Sequence, residues 1–134
     1  MKCPCGTGED YKKCCEPYVE LSRPAPTAET LMRSRYSAFA LKKPTYLEDT
    51  TDPQTRQKFD FRANAAWALE ATFTGLEILK ASEEGNKGVV EFRARFTQGG
   101  EPHVHHEKSK FRKQAGVWFY REGQIYDSTP AAGA

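Results

Sequence analysis

The chemistry of this sequence is concentrated at its start. Cys3, Cys5, Cys14 and Cys15 are its four cysteines, spaced C-x-C, eight residues, then C-C. Four soft thiolates suit a tetrahedral Zn²⁺, with Zn–S distances of about 2.3 Å. A set of four sulfurs also closes the coordination shell, so the expected zinc is structural and leaves no position for a catalytic water. A disulfide framework would instead scatter its cysteines to tie distant loops together. A redox pair would take the form C-x-x-C beside a βαβ unit, which this sequence lacks. Between the two pairs Pro4 stiffens the turn, and Gly6 and Gly8 let the backbone curl through positive φ. Glu9 to Lys13 can then form a helical turn that returns Cys14 and Cys15 to the ion.

A second set of reactive side chains lies further on. His103, His105, Glu107, Ser109 and Phe111 alternate with other residues, so a strand would place all five on one face. Phe111 belongs in a core, and Glu107 and Ser109 should then point inward with it. The H-x-H-x-E spacing offers donors about 7 Å apart, enough for two of them to hold a metal with outside help. The plainer reading leaves His103 exposed beside Pro102. Arg35 falls within the apolar stripe of a predicted helix, and a buried guanidinium is costly unless paired. Glu107 is its expected partner through a two-pronged carboxylate–guanidinium bond. Such a pair could simply fix helix against sheet. It could also line a cavity walled by Tyr36, Trp67, Trp118 and Tyr120, with His105 and Ser109 nearby. An acid or base held by arginine would have a lowered pKa and be a poor base near neutrality. No Gly-rich phosphate loop, nucleophile elbow or Ser/His/Asp arrangement is present to suggest an enzyme of those kinds.

The elements that must position these groups read as helices first and strands afterwards. Residues 1–21 form the knuckle, and the Pro-rich stretch 22–27 reads as a stiff connector holding it outside the main core. Thr27 is an N-cap, with Glu29 in the first helical turn and Pro44 marking the stop, so a helix is expected from Ala28 to about Lys42. At 100° per residue Ala28, Leu31, Met32, Tyr36, Ala38 and Phe39 gather on one face. Arg33, Ser34 and Ser37 fall opposite, and Arg33 reads as solvated. Pro44 to Asp49 and Gln54 to Ala68 are also expected to be helical. Beyond Leu69 the period becomes two, giving strands over Thr72–Lys80, Gly88–Thr97, His103–Lys113 and Val117–Arg121, separated by turn residues. This order predicts an α+β domain over residues 28–126, helices packed on one face of a curved antiparallel four-stranded sheet. Residues 127–134 read as a flexible tail.

Composition sets the outer bounds. The chain has 134 residues, 38% hydrophobic and 28% charged, which is one globular domain with a small appendage. No apolar run reaches the roughly 20 residues of a membrane span, and no apolar signal core follows Met1 and Lys2, so a cytoplasmic location is expected. Twenty basic residues against 18 acidic ones give a formal charge of +2. That is no broad basic field, so nothing points strongly to nucleic acid.

The segment CPCGTGEDYKKCC resembles the SEC-C motif, known from the C-terminal tail of the SecA translocase motor. The glycines at 6 and 8, the Tyr11–Lys12 step and Cys15 as fourth ligand all match. The resemblance implies zinc binding and contact with a protein or ribosome partner, with Lys2, Lys12 and Lys13 as contact residues. Together with LMRSRYSAF and the later ARFTQGG, HHEKSKF and GVWFYREG, it resembles the YchJ-type bacterial family. That resemblance implies a cone-like domain similar to nuclear transport factor two behind the knuckle. Where many relatives carry a second SEC-C knuckle, this sequence reads TPAAGA. The leading expectation is therefore an adaptor that docks through its zinc knuckle, and the alternative is a small-molecule-binding protein or small enzyme that uses the cone's pocket.

Overall fold

The computed structural model describes residues 1–127; the tail expected from residue 127 lies, past Asp127, outside the described residues. The chain opens with the knuckle, a 3-10 turn at Tyr11–Lys13 and a short helix α1 (Glu16–Val19). Helix α2 (Ala28–Ala40) begins where Thr27 accepts the Thr30 N–H on its hydroxyl, and it ends as Lys42 turns left-handed at φ 62°. Helix α3 (Pro44–Asp49) follows with its proline in the first turn.

The helix expected from Gln54 is broken. Asp52 accepts from the backbone of Gln54 at 3.0 Å, which competes with helical bonding, and Asp60 caps a new helix by accepting from Ala63 N. Only a 3-10 turn at Arg56–Lys58 precedes α4 (Phe61–Glu70).

Four strands complete the chain: β1 (Thr72–Glu84), β2 (Lys87–Gln98), β3 (Glu101–Gln114) and β4 (Val117–Asp127). They form one antiparallel sheet in the order β1-β2-β3-β4. The ladder pairs Val90 with Ser109, Phe92 with Glu107 and Ala94 with His105. This alternation turns Val90, Phe92, Ala94, Glu107, Ser109 and Phe111 toward the helices, where they are buried. Two register breaks in the β3–β4 ladder leave Arg121 and Tyr126 as extra residues on β4. Bulges of this kind bend the strand and re-aim a side chain.

The knuckle does not stand apart on a tether. Cys3, Cys5, Tyr11 and Cys15 belong to the same buried cluster as Leu31, Tyr36, Val90 and Phe111. They rest on the face of α2 that the sequence assigns to solvent. Ser34 and Ser37 are both 0% exposed. Ser34 Oγ donates to Leu31 O at 2.9 Å, and Ser37 Oγ lies 3.4 Å from Cys3 Sγ. Nor is Arg33 a solvated residue: its Nε pairs with Glu29 at 3.0 Å, and its Nη1 donates to the carbonyl of Cys5 at 2.9 Å. Small hydroxyl side chains satisfy their polar atoms within the helix or against the knuckle, and so can be buried at little cost. Helix α2 is therefore covered on both sides.

Candidate functional site

Two sites flank α2. In the knuckle, Cys3 N donates to Glu9 O at 2.8 Å and Tyr11 N to Met1 O at 2.9 Å, closing a small loop around Gly6 (φ 88°) and Gly8 (φ 85°). Both glycines take the left-handed conformation that side-chain-bearing residues avoid. The four cysteine sulfurs then converge, all lying within 4.8 Å of one another. Crowding sets their acidity: hydrogen bonds from Cys15 and Cys3 pull the Cys5 thiol far down. Cys14 is pushed up to about 11 by burial, and Cys15 is raised by its bond with Cys3. One thiolate forms readily and its neighbours then resist. A central dication removes that resistance, so the set fits a metal ion. Among the described residues this is the only convergent cluster of three or more metal-ligating side chains.

His103, His105 and Glu107 do not converge as a set of three metal ligands. His103 is half-buried rather than exposed, stacked on Phe96 with ring centroids 5.1 Å apart, while His105 Nε2 bonds Glu107 Oε1 at 2.7 Å.

On the other side of α2 lies a cavity of about 250 Å³ between α2, α4 and the concave sheet face. Arg35, Tyr36, Trp67, His105, Glu107, Ser109 and Tyr120 all line it. Trp118 does not. It is buried under the start of α2, its ring 3.2 Å from where a side chain on Gly88 would begin, and it borders a separate cleft with Leu31 and Tyr46. Two positions further along β4, Tyr120, not Trp118, stands against the cavity together with Phe39, Phe59 and Phe73. Trp67 meets Phe39, Phe73 and Phe96 edge-on, with centroids 5.1–5.3 Å apart, a favoured aromatic geometry.

Arg35 and Glu107 face this cavity without bonding each other. Arg35 is 7% exposed; its Nη1 donates to Leu47 O at 2.9 Å, to Thr50 Oγ1 at 2.7 Å and to Thr51 Oγ1 at 3.4 Å. These acceptors are placed by an unexpected piece of chain. Residues 50–52 run beside β4, with Tyr120 N donating to Thr50 O and Asp52 N to Tyr120 O, each at 2.8 Å. The guanidinium carbon sits 4.4 Å over the Tyr120 ring, and the Tyr120 hydroxyl donates to Glu107 Oε2 at 3.0 Å. Tyr120 thus links the two groups that were expected to touch. Burial lowers the Arg35 pKa from its usual range.

Glu107, 8% exposed, receives the Ser109 hydroxyl at 2.6 Å as well as His105 and Tyr120. Burial pushes its pKa up, but the hydrogen bonds from His105, Ser109 and Tyr120 outweigh burial and hold it below the ordinary value. It is an ionised, well-anchored carboxylate, suited to orienting groups more than to taking a proton. Gly123 makes room for it. A side chain there would meet the Glu107 carboxylate and, at 2.7 Å, Tyr120 Oη. A glycine inside a strand is the sequence signal for such an approach.

Behind the cavity, Asp52 is fully buried and takes a two-pronged bond from Arg112, both contacts 2.7 Å, and a third from Arg121 at 3.0 Å. The bulge at Arg121 aims that side chain at Asp52, and Thr55 Oγ1 donates to Arg121 O at 2.7 Å. The carboxyl is held well below the usual range by Arg112 first, against the opposing effect of burial. Nothing in the sequence pattern singles out this triad, because its members are far apart in the chain.

Known proteins match this arrangement along nearly all its length. The family description "YchJ, middle NTF2-like domain" matches residues 27–123, and the SEC-C motif matches residues 2–17. A UPF0225 protein of Geobacter sulfurreducens is 42% identical over 132 residues, covering 96% of this chain and 82% of its own. The solution structure of a SEC-C motif containing protein from Rhodopseudomonas palustris superposes with a TM-score of 0.86 at 48% identity, covering 95% of this chain and 100% of that one. A crystal structure of a SEC-C motif containing protein from Psychrobacter arcticus gives a TM-score of 0.81 at 33% identity, covering 96% and 85%. With its α+β fold, its cysteine knuckle and matches to both parts, the chain belongs to the YchJ family of SEC-C proteins with an NTF2-like domain.

Proposed function

We propose that this protein binds a small organic molecule in the cavity under α2, and that a structural Zn²⁺ in the knuckle holds the helix in place. The observation that carries the reading is the cavity itself. It is walled by aromatic rings and holds two buried groups of opposite charge, Arg35 and Glu107, that do not neutralise each other by contact. Apolar walls with a few convergent polar groups are the usual make-up of a ligand site. Zinc is the favoured ion because four thiolates in a closed set suit tetrahedral Zn²⁺. Metal analysis of purified protein should give one zinc per chain; two disulfides and no metal would refute that part.

The binding reading is tested by ligand-observed NMR with a fragment library, on the wild type and on Ala94→Leu. Ala94 lines the cavity opposite His105, so the larger side chain should fill it. Fragments that bind the wild type and lose the filled variant support the reading. A hit list unchanged by filling, or no hits, refutes it.

A docking role for the knuckle is the second reading. It is favoured by Lys2, Lys12 and Lys13, which are exposed around the buried cysteines. Co-sedimentation with ribosomes, compared with Lys12→Glu/Lys13→Glu, tests it: equal sedimentation of both proteins, or of neither, refutes the contact.

A further inference from the structure

The two charged groups of the cavity differ in how well they are served. Glu107 takes hydrogen bonds from three donors: His105 on Oε1, and Ser109 and Tyr120 on Oε2. Arg35 carries three bonds, and all of them leave from Nη1 toward neutral oxygens. Those oxygens are themselves oriented. Thr50 Oγ1 donates to Tyr46 O and Thr51 Oγ1 to Leu47 O, each at 2.7 Å, which turns their lone pairs toward the guanidinium. Among the described residues Nε and Nη2 of Arg35 make no hydrogen bond and no carboxylate pairs with the group. A guanidinium carries five donors on a rigid fork, and Arg35 lines the cavity, so its Nε and Nη2 are left for whatever occupies that space. The Tyr120 ring already lies 4.4 Å from the guanidinium carbon, and the edge formed by Nε and Nη2 is left for an in-plane acceptor.

We infer that the cavity selects a small organic carboxylate with a flat apolar body, the carboxylate seated on the free edge of Arg35 and the body against Phe39, Trp67 and Phe73. This rests on the reading of the cavity as a ligand site. A volume of about 250 Å³ falls just below the ~300 Å³ at which drug-sized ligand pockets start, so the ligand is of small-metabolite size. A carboxylate is chosen over a larger oxyanion because two parallel bonds to a guanidinium edge match its geometry. An amine aimed at Glu107 is disfavoured, since that carboxylate already holds three donors and would have to release one.

The experiment is a ¹H–¹⁵N NMR titration of the zinc-loaded full chain with benzoate, benzamide and benzylamine, three probes of one shape and different charge. A charge-assisted pair should favour benzoate over benzamide by roughly tenfold or more. Arg35→Lys keeps the charge and removes the fork, so it should erase that preference while its spectrum stays folded. If Arg35→Lys fails to fold, the wild-type series alone decides. Equal affinity for benzoate and benzamide would overturn the carboxylate inference and leave the cavity reading standing. Preference for benzylamine would overturn it in favour of Glu107 as the anchor. If no probe moves a cavity resonance, both the inference and the binding reading on which it rests fail.

Discussion

Replacing Gly123 by alanine should destabilise the protein through one carboxylate. In an ordinary strand position the change would be neutral or gain up to ~1 kcal/mol, because glycine is the weaker strand former. Here the new Cβ would fall inside the van der Waals shell of the Glu107 carboxylate, 2.5 Å from Cδ, and 2.7 Å from Tyr120 Oη. The backbone cannot retreat easily, since Gly123 is paired with Ser109 in the β3–β4 ladder. The carboxylate must therefore swing away, and the bonds it loses first are those of Ser109 and Tyr120 to Oε2. Hydrogen bonds to a charged group contribute ~1.5–3 kcal/mol each, and recovery of one by rotation leaves a net loss of about 2–3 kcal/mol. Urea denaturation followed by circular dichroism measures it, with unchanged m-values as the check on two-state behaviour. In a Glu107→Ala background there is nothing for the methyl group to displace, and Tyr120 is free to turn. The cost of Gly123→Ala should then vanish, giving a coupling of about 2 kcal/mol in the double-mutant cycle. A neutral Gly123→Ala, or the same cost in both backgrounds, would refute the assignment.

Other outcomes follow from the same geometry. Asp52→Asn should destabilise at pH 7 by stranding Arg112 and Arg121. The Asp52 pKa is depressed in the folded state, so its contribution is complete above the unfolded value of about 3.9 and fades as pH falls below it; the gap between wild type and variant in urea melts should narrow from pH 7 to pH 3. Removal of the metal by a strong chelator should lower the thermal midpoint of the whole domain in one transition, because the knuckle shares its core; two separate transitions in calorimetry would contradict a common core. Arg33→Ala should speed release of the knuckle's metal to a chromogenic chelator, since it frees the Cys5 carbonyl; a release rate equal to that of the wild type would refute a role for that contact.

Much of this molecule was legible from residue types and period. The thiol cluster followed from four cysteines in fifteen positions, and the sheet from alternation around Val90–Phe96 and His103–Phe111. What failed did so for identifiable physical reasons. Helical periodicity locates an apolar face, but it cannot show that a serine face is also buried, because Ser34 satisfies its hydroxyl within the helix and Ser37 lies against Cys3, and neither carries a hydrophobic signal. The rule that a buried arginine needs a carboxylate placed Glu107 on Arg35. Backbone and threonine oxygens from residues 47–51, together with a tyrosine ring, met most of that need instead. The Asp52 triad depends on the β-bulge at Arg121, and that bulge shifts register by one residue with no mark in composition.

Arg33 and Arg35 sit two residues apart, which is about 200° around a helix. One reaches into the knuckle and the other into the cavity, so α2 is a wall common to both. Any molecule that binds better to one setting of that wall must change the knuckle's hold on its ion by some factor. By thermodynamic reciprocity the ion then changes the affinity of that molecule by the same factor. On the proposed function, metal affinity measured with and without a cavity ligand is therefore the direct readout of that coupling.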